Sequence, residues 1–218
     1  MSALNRKIKT IVFDMDGTIA DSLWLGLECA NQLAEKYKYD PIQYSPVIRD
    51  LSFKEFLRTH LKLGKIKLIF WARELKRLIN QNNDCVKIFP GIKDLLIKLK
   101  EEKYHIGILT SNSTTNVLKT LKNNGIEEYF DFMYTNSSPF GKWISLYRML
   151  RHERLKKAET IYIGDEIRDI DSCNIVGLST IAVTWGANST NLLREANANF
   201  YADQPQEIAG ILKSIEEE

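Results

Sequence analysis

Five short apolar runs, near residues 8–13, 105–110, 131–135, 160–164 and 180–184, recur along the chain, and most are followed by a stretch with helical spacing. Strands that alternate with helices in this way pair in parallel, and the crossover helices cover both faces of the sheet. The pattern predicts an α/β protein built on a doubly wound, Rossmann-like parallel sheet. It also says where chemistry can sit, because open sheets of this kind bind ligands at the carboxyl ends of their strands.

Between about Ser22 and Lys87 no run reads as a strand. Amphipathic stretches at about 22–37, 52–62 and 65–80 point instead to an all-helical insert. The expected division is a core of residues 1–20 and 88–218, with a helical cap of residues 21–87 inserted after the first strand. Phe89-Pro90-Gly91 marks the return to the core, with Pro90 suited to the first turn of a helix running to about Glu102. A length of 218 residues with 44% hydrophobic content is ample for a core.

The first strand candidate ends Ile11-Val12-Phe13 and runs directly into Asp14-Met15-Asp16-Gly17-Thr18. Two carboxylates one residue apart cannot both be satisfied in a sheet interior. At a strand end they form a hard-oxygen site for Mg²⁺, and their repulsion favours keeping one of them protonated. Gly17 allows a backbone turn that other residues resist. The plainer alternative is an Asx turn leading into the cap of a helix near Ser22, which suits a lone aspartate better than the whole pentapeptide.

Two later strand ends carry matching chemistry. Ile106-Gly107-Ile108-Leu109 leads into Thr110-Ser111-Asn112-Ser113 and a helical pattern from about Thr114 to Asn124. Hydroxyls and free amides at a helix start favour an anion, so Ser111 is the expected phosphate ligand, with Thr110 as the other hydroxyl and simple capping by Ser111 or Ser113 as the plainer reading. The fourth run ends in Gly164-Asp165-Glu166-Ile167-Arg168-Asp169. Asp165 and Asp169 are spaced for one face of a helix, with Asp165 suited to a metal and Asp169 to a water-mediated or orienting role. An N-cap at Asp165 with acids paired to Arg168 is the alternative. Carboxylates and a phosphate together exceed what one Mg²⁺ offsets, so a fixed cation is expected. Lys142 in Phe140-Gly141-Lys142, opening a helix to about His152, is best placed, ahead of Lys156 and Lys157.

These four segments, in this order, resemble the haloacid dehalogenase superfamily, and specifically its phosphatase branch. The narrower runs Ile108-Leu109-Thr110-Ser111-Asn112-Ser113, Tyr162-Ile163-Gly164-Asp165-Glu166 and Ala182-Val183-Thr184-Trp185-Gly186 are similar to its phosphoglycolate-phosphatase-like group. The resemblance implies a Mg²⁺-dependent hydrolase of a small organic phosphate ester. Asp14 would be the nucleophile forming an aspartyl-phosphate, and Asp16 the acid and base. Mg²⁺ would be held by Asp14, the backbone carbonyl of Asp16 and Asp165. Ser111, Lys142 and the amides of Met15 and Asp16 would hold the phosphoryl oxygens, with Thr18, Asn112 and Asp169 around them. A sugar phosphomutase of the same superfamily and a non-catalytic phospholigand-binding module are the alternatives.

Substrate choice would rest on the insert. From Arg49 to Arg77 nine basic residues face three acidic ones, a local excess that suits an anionic substrate or a solvated helix face. Arg49 is the candidate for a carboxylate on the substrate, while Trp24 and Trp71 read as core or interface residues. No run approaches the ~20 apolar residues of a membrane span, and no signal-peptide pattern opens the chain. Cys29, Cys85 and Cys173 show no metal-type spacing. A cytoplasmic enzyme without a nucleic-acid partner is expected.

Overall fold

The computed structural model of this chain describes residues 7–43, 46–51, 53–138 and 141–217. Its strands are β1 (Thr10–Phe13), β2 (Ala20–Asp21), β3 (Lys87–Ile88), β4 (His105–Leu109), β5 (Phe132–Tyr134), β6 (Thr160–Gly164), β7 (Ser179–Val183) and β8 (Phe200–Ala202). The helices are α1 (Leu23–Gln32), α2 (Ala34–Tyr37), α3 (Pro46–Arg49), α4 (Phe53–Phe56), α5 (Lys65–Asn82), α6 (Ile92–Glu101), α7 (Thr114–Asn123), α8 (Lys142–His152), α9 (Ile167–Val176), α10 (Thr190–Glu195) and α11 (Pro205–Glu217).

Six strands form one parallel sheet in the order β5-β4-β1-β6-β7-β8, an α/β, Rossmann-like arrangement. Side chains alternate between its faces, as the strand period requires. Ile11 and Phe13 pack with Leu96 and Leu99 of α6, Val117 of α7 and Leu212 of α11. Val12 and Tyr162 point the other way, against Leu146 and Met149 of α8 and Cys173 of α9. The strands are therefore buried on both faces, which is why they read as apolar runs.

The register brings the site together. Phe13 of β1 lies level with Ile108 of β4 on one side and Ile163 of β6 on the other, so the residues that follow each strand meet at the carboxyl end of the sheet. The strand order changes direction around β1, and such a switch point is where this topology leaves a crevice.

The helical segment leaves through β2 and returns through β3, which pair antiparallel at Ala20–Ile88 and Asp21–Lys87. Its own apolar cluster contains Ala30, Leu33, Ile42, Leu61 and Trp71. The expected helix over 22–37 is broken: α1 stops before Leu33, and Lys38 adopts a left-handed conformation that ends α2. The stretch over 52–62 divides into α4 and a π-helical turn, Leu57–Leu61; its first residue, Ser52, lies outside the described residues. Pro90 does not open α6. It sits in the turn ahead of Gly91, whose positive φ of 88° sets the helix start at Ile92.

Strands β2, β3 and β8 lie outside the expected runs; β2 and β3, of two residues each, are too short to show a period. No helix among the described residues is long and apolar enough to cross a membrane.

Candidate active site

The carboxyl ends of β1, β4 and β6 and the start of α8 converge on a small buried volume. Asp14 follows β1, its N–H donating to the Ile163 carbonyl of β6 at 2.8 Å. Its carboxylate accepts from the Met15 amide at 2.8 Å and pairs with Lys142 Nζ at 2.8 Å. Lys142, the first residue of α8, also meets Asp169 Oδ1 at 2.5 Å, and all three side chains are at most 3% exposed. Burial works against the ammonium, yet Asp14 and Asp169 outweigh it and raise its pKa overall. Burial also pushes Asp169 up to about 6, with Lys142 opposing. Phe140, just before this lysine segment, lies outside the described residues.

Asp165 is buried where β6 ends. Thr18 Oγ1 donates to its Oδ1 at 2.8 Å and the Ala187 amide to its Oδ2 at 2.7 Å. Neither donor carries a charge, and burial, followed by repulsion from Glu166, Asp14 and Asp169, holds its pKa well above the ordinary carboxylate value. Asp165 and Asp169 do not share a helix face as their spacing predicts. Glu166 is the N-cap of α9 and Asp169 its reciprocal capping partner, leaving Asp165 in the preceding loop. The backbone is packed tightly here: a Cβ on Gly17, at φ 77°, would fall 2.1 Å from Asp165 Oδ2, and one on Gly186 would fall 2.2 Å from Asp165 Cβ.

Asp16 turns away from this cluster. Its carboxylate accepts from Ser22 Oγ at 2.6 Å and from Asn112 Nδ2 at 2.9 and 3.2 Å. Desolvation raises its pKa and the hydrogen bond from Ser22 lowers it, with a net upward shift to which neighbouring Asp14 adds. Asn112 is itself held, its Oδ1 accepting from Asn116 Nδ2 at 3.0 Å while the same amide donates to Asn80 Oδ1 of α5 at 2.7 Å. In the β4–α7 loop Ser113, not Ser111, caps the helix. The Thr110 hydroxyl accepts from the Asn112 amide at 3.1 Å, whereas Ser111 lines a cavity between sheet and insert.

A sequence model of the haloacid dehalogenase-like hydrolases matches residues 11–183, which span all of these segments. The chain belongs to that family. It is 32% identical over 206 residues to a phosphoglycolate phosphatase of Synechococcus elongatus, covering 92% of this chain and 95% of that one. It is 22% identical to the pyrophosphatase PpaX of Listeria innocua over 96% of this chain and 99% of the relative. A solved haloacid dehalogenase-like hydrolase from Streptococcus pneumoniae superposes with a TM-score of 0.79 at 25% identity, covering 94% of this chain and 98% of that one. With these relatives, the chain is a phosphatase of the phosphoglycolate-phosphatase-like group.

Phosphatases of the haloacid dehalogenase-like family use a divalent metal, and the donor set here fits one. Asp14, Asp165 and Asp169 each offer an oxygen within 4.8 Å of the others. With all three carboxylates ionised, Lys142 alone leaves two negative charges uncompensated, a state that burial resists by raising Asp165 and Asp169 and that a dication would cancel. The side chain of Asp16 is not in this set.

Arg49, the expected partner of a substrate carboxylate, lines the cavity with part of its guanidinium already engaged. One of its terminal nitrogens donates to the Thr184 carbonyl at 2.5 Å and the Asn188 carbonyl at 3.2 Å, tying the insert to the loop that carries Ala187. The bases Arg58, Lys62, Lys65, Lys67, Arg73, Lys76 and Arg77 are exposed, as a solvated helix face requires. Trp71 is buried in the apolar cluster of the helical segment and Trp24 is partly exposed, donating to the Asp21 carbonyl.

Several members of this family site escaped the sequence reading. Ser22, Asn80, Asn116 and Asn188 act as neutral hydrogen-bonding side chains with no motif to mark them. Gly186 carried a signal only as part of the Ala182–Gly186 resemblance.

Proposed function

We propose that this phosphatase hydrolyses a small, phosphoglycolate-like organic phosphate ester through an aspartyl-phosphate on Asp14, with residues 21–87 acting as a cap over the core of residues 1–20 and 88–218. The observation that carries the reading is the contrast between two aspartates at one strand end. Asp14 lies against the Lys142 ammonium, while Asp16 is held by neutral donors and its pKa is raised. One is suited to remain an anionic nucleophile and the other to carry a proton.

In the first step an Asp14 carboxylate oxygen attacks phosphorus in line. The bond to the leaving oxygen breaks as Asp16 gives that oxygen its proton. In the second step Asp16 takes a proton from water, whose oxygen attacks the same phosphorus. The Asp14–phosphorus bond then breaks, inorganic phosphate departs, and both aspartates return to their starting states. Lys142 and Ser111 hold non-transferring oxygens, with the amides of Met15 and Asp16 beside them. Ser111 is preferred to Thr110, whose hydroxyl is already engaged by the Asn112 amide. Thr18 and Asn112 fix Asp165 and Asp16 respectively, and Asp169 fixes Lys142. Mg²⁺, held through Asp14, Asp165 and the carbonyl of Asp16, would supply charge neutralisation and orientation of the phosphoryl group.

Relatives at 32% and 26% identity are phosphoglycolate phosphatases, and neither the mutase nor the binding-module alternative gains support from them. A reducing, cytoplasmic setting suits the three unpaired cysteines. The test is phosphate release from phosphoglycolate, sugar phosphates and a generic aryl phosphate. Turnover is expected in the wild type with Mg²⁺, and loss of at least a thousandfold in Asp14→Asn or with chelator. Unchanged hydrolysis by Asp14→Asn would refute the mechanism.

A further inference from the structure

A cavity of about 360 Å³ lies between the helical segment and the sheet, reaching Ser111 at its inner end. At ~30 Å³ per water-sized unit it accommodates on the order of ten non-hydrogen atoms, more than a two-carbon acid fills. Leu27, Phe56, Trp71 and Leu75 make its outer wall apolar. The ionisable side chains that line it are Arg49, Arg168 and Glu166, a net charge of +1.

Both arginines are pinned by a terminal nitrogen: Arg49 by the carbonyls of Thr184 and Asn188, Arg168 by Glu166 Oε1 at 2.6 Å. Both also carry a buried Nε that no protein group satisfies. A buried guanidinium that is under-paired in this way favours an anion nearby. Two arginines and a set of apolar side chains lining one cavity, together with Ser111 of the expected phosphoryl site, describe the ligand by its chemistry.

We propose that this cavity receives the alcohol half of the substrate, and that this half is an apolar body of several carbons bearing an anionic group, which Arg168 and Arg49 bind. The assignment rests on the phosphatase reading and narrows it. A cationic alcohol is disfavoured by the net charge. Pyrophosphate leaves the apolar wall unfilled, and phosphoglycolate meets the arginines without filling it.

The test uses the full chain and four esters: 3-carboxyphenyl phosphate, its neutral 3-carbamoylphenyl analogue, the cationic 3-(aminomethyl)phenyl analogue and phosphoglycolate. The carboxylated aryl ester is expected to exceed the other three in kcat/KM by about tenfold, the size of one charge-assisted hydrogen bond. Arg168→Met should remove the preference over the carbamoyl ester, and Arg168→Lys should restore part of it. Equal kcat/KM for the carboxylated and neutral aryl esters in the wild type overturns the assignment, whether or not the variants fold. So does a preference that survives in Arg168→Met. Phosphate release from no ester would defeat the phosphatase reading instead. Calorimetric titration of Asp14→Asn would then decide the cavity separately, preferential binding of the carboxylated ester supporting the assignment and equal binding overturning it.

Discussion

Replacing Lys142 with methionine keeps the volume of the side chain and removes the ammonium that lies between Asp14 and Asp169. The pair with Asp14 spans 2.8 Å, and both partners are at most 3% exposed. At an effective dielectric of ~20, Coulomb's law gives an attraction of about 6 kcal/mol for that pair, against several kcal/mol for desolvating each ion. The balance for removing one partner of a buried pair is a loss of about 3–5 kcal/mol, and we expect about 4 kcal/mol at pH 7.5 without metal. The sign of its pH dependence follows from the same cluster. Burial already lifts Asp169 to about 6 against the opposing charge of Lys142, and losing the cation lifts it further. The folded variant then binds more protons than the unfolded chain, whose aspartates titrate near 3.8, so its stability relative to wild type recovers as pH falls toward that value. Each extra proton contributes about 1.4 kcal/mol per pH unit. Urea unfolding of both proteins at pH 7.5 and 5.5 checks this: the gap should narrow by up to ~3 kcal/mol at the lower pH. A loss below ~1 kcal/mol at pH 7.5, or a gap that widens on acidification, would refute the view that Lys142 compensates buried carboxylates.

Asn112→Ala removes a hydrogen bond that holds the pKa of Asp16 down. The alkaline limb of its kcat profile, where Asp16 loses the proton it must donate, should therefore move to higher pH, with kcat falling about ten- to a hundredfold through lost positioning; an unmoved limb would assign that limb to another group. Gly186→Ala places a Cβ about 2.2 Å from that of Asp165 and 2.4 Å from the Gly17 carbonyl oxygen, so the loop must shift. The thermal stabilisation that millimolar Mg²⁺ gives the wild type should shrink by at least ~1 kcal/mol in this variant, and an equal shift in both proteins would contradict the packing argument.

The sheet was legible because burial on both faces writes itself as apolar β-branched runs, and Asp14, Ser111 and Asp165 could be placed because each directly follows such a run. The elements that were missed have no such signature. β2 and β3 pair over two residues each, and β8 exists because Phe200–Ala202 finds the edge of β7. Arg49 shows the limit for side chains. Its charge is plain in the sequence, but its direction is set by carbonyls 135 and 139 positions away. The helix face expected for Asp165 and Asp169 failed for a local reason, since Glu166 and Asp169 cap α9 reciprocally and push its start past Asp165. The amide series Asn80–Asn116–Asn112 links α5 of the insert to Asp16, and asparagines without a periodic pattern give no warning of such a contact.

The four aspartates of the site are chemically identical in sequence, so their proposed division of labour must come from what neutralises each one. Lys142 serves Asp14 and Asp169 with a full charge. Thr18 and Ala187 serve Asp165 with dipoles alone, which positions the carboxylate while leaving its charge for a cation to meet. Ser22 and Asn112 serve Asp16 in the same uncharged way. A dication cancels the two negative charges left in the buried cluster, and a phosphate ester then brings up to two more into the volume beside Asp16. Every added negative charge there makes ionisation of Asp16 less favourable. In the proposed reaction, binding the substrate therefore helps to retain the proton on Asp16 until the bond to the leaving oxygen breaks and that oxygen becomes the stronger base.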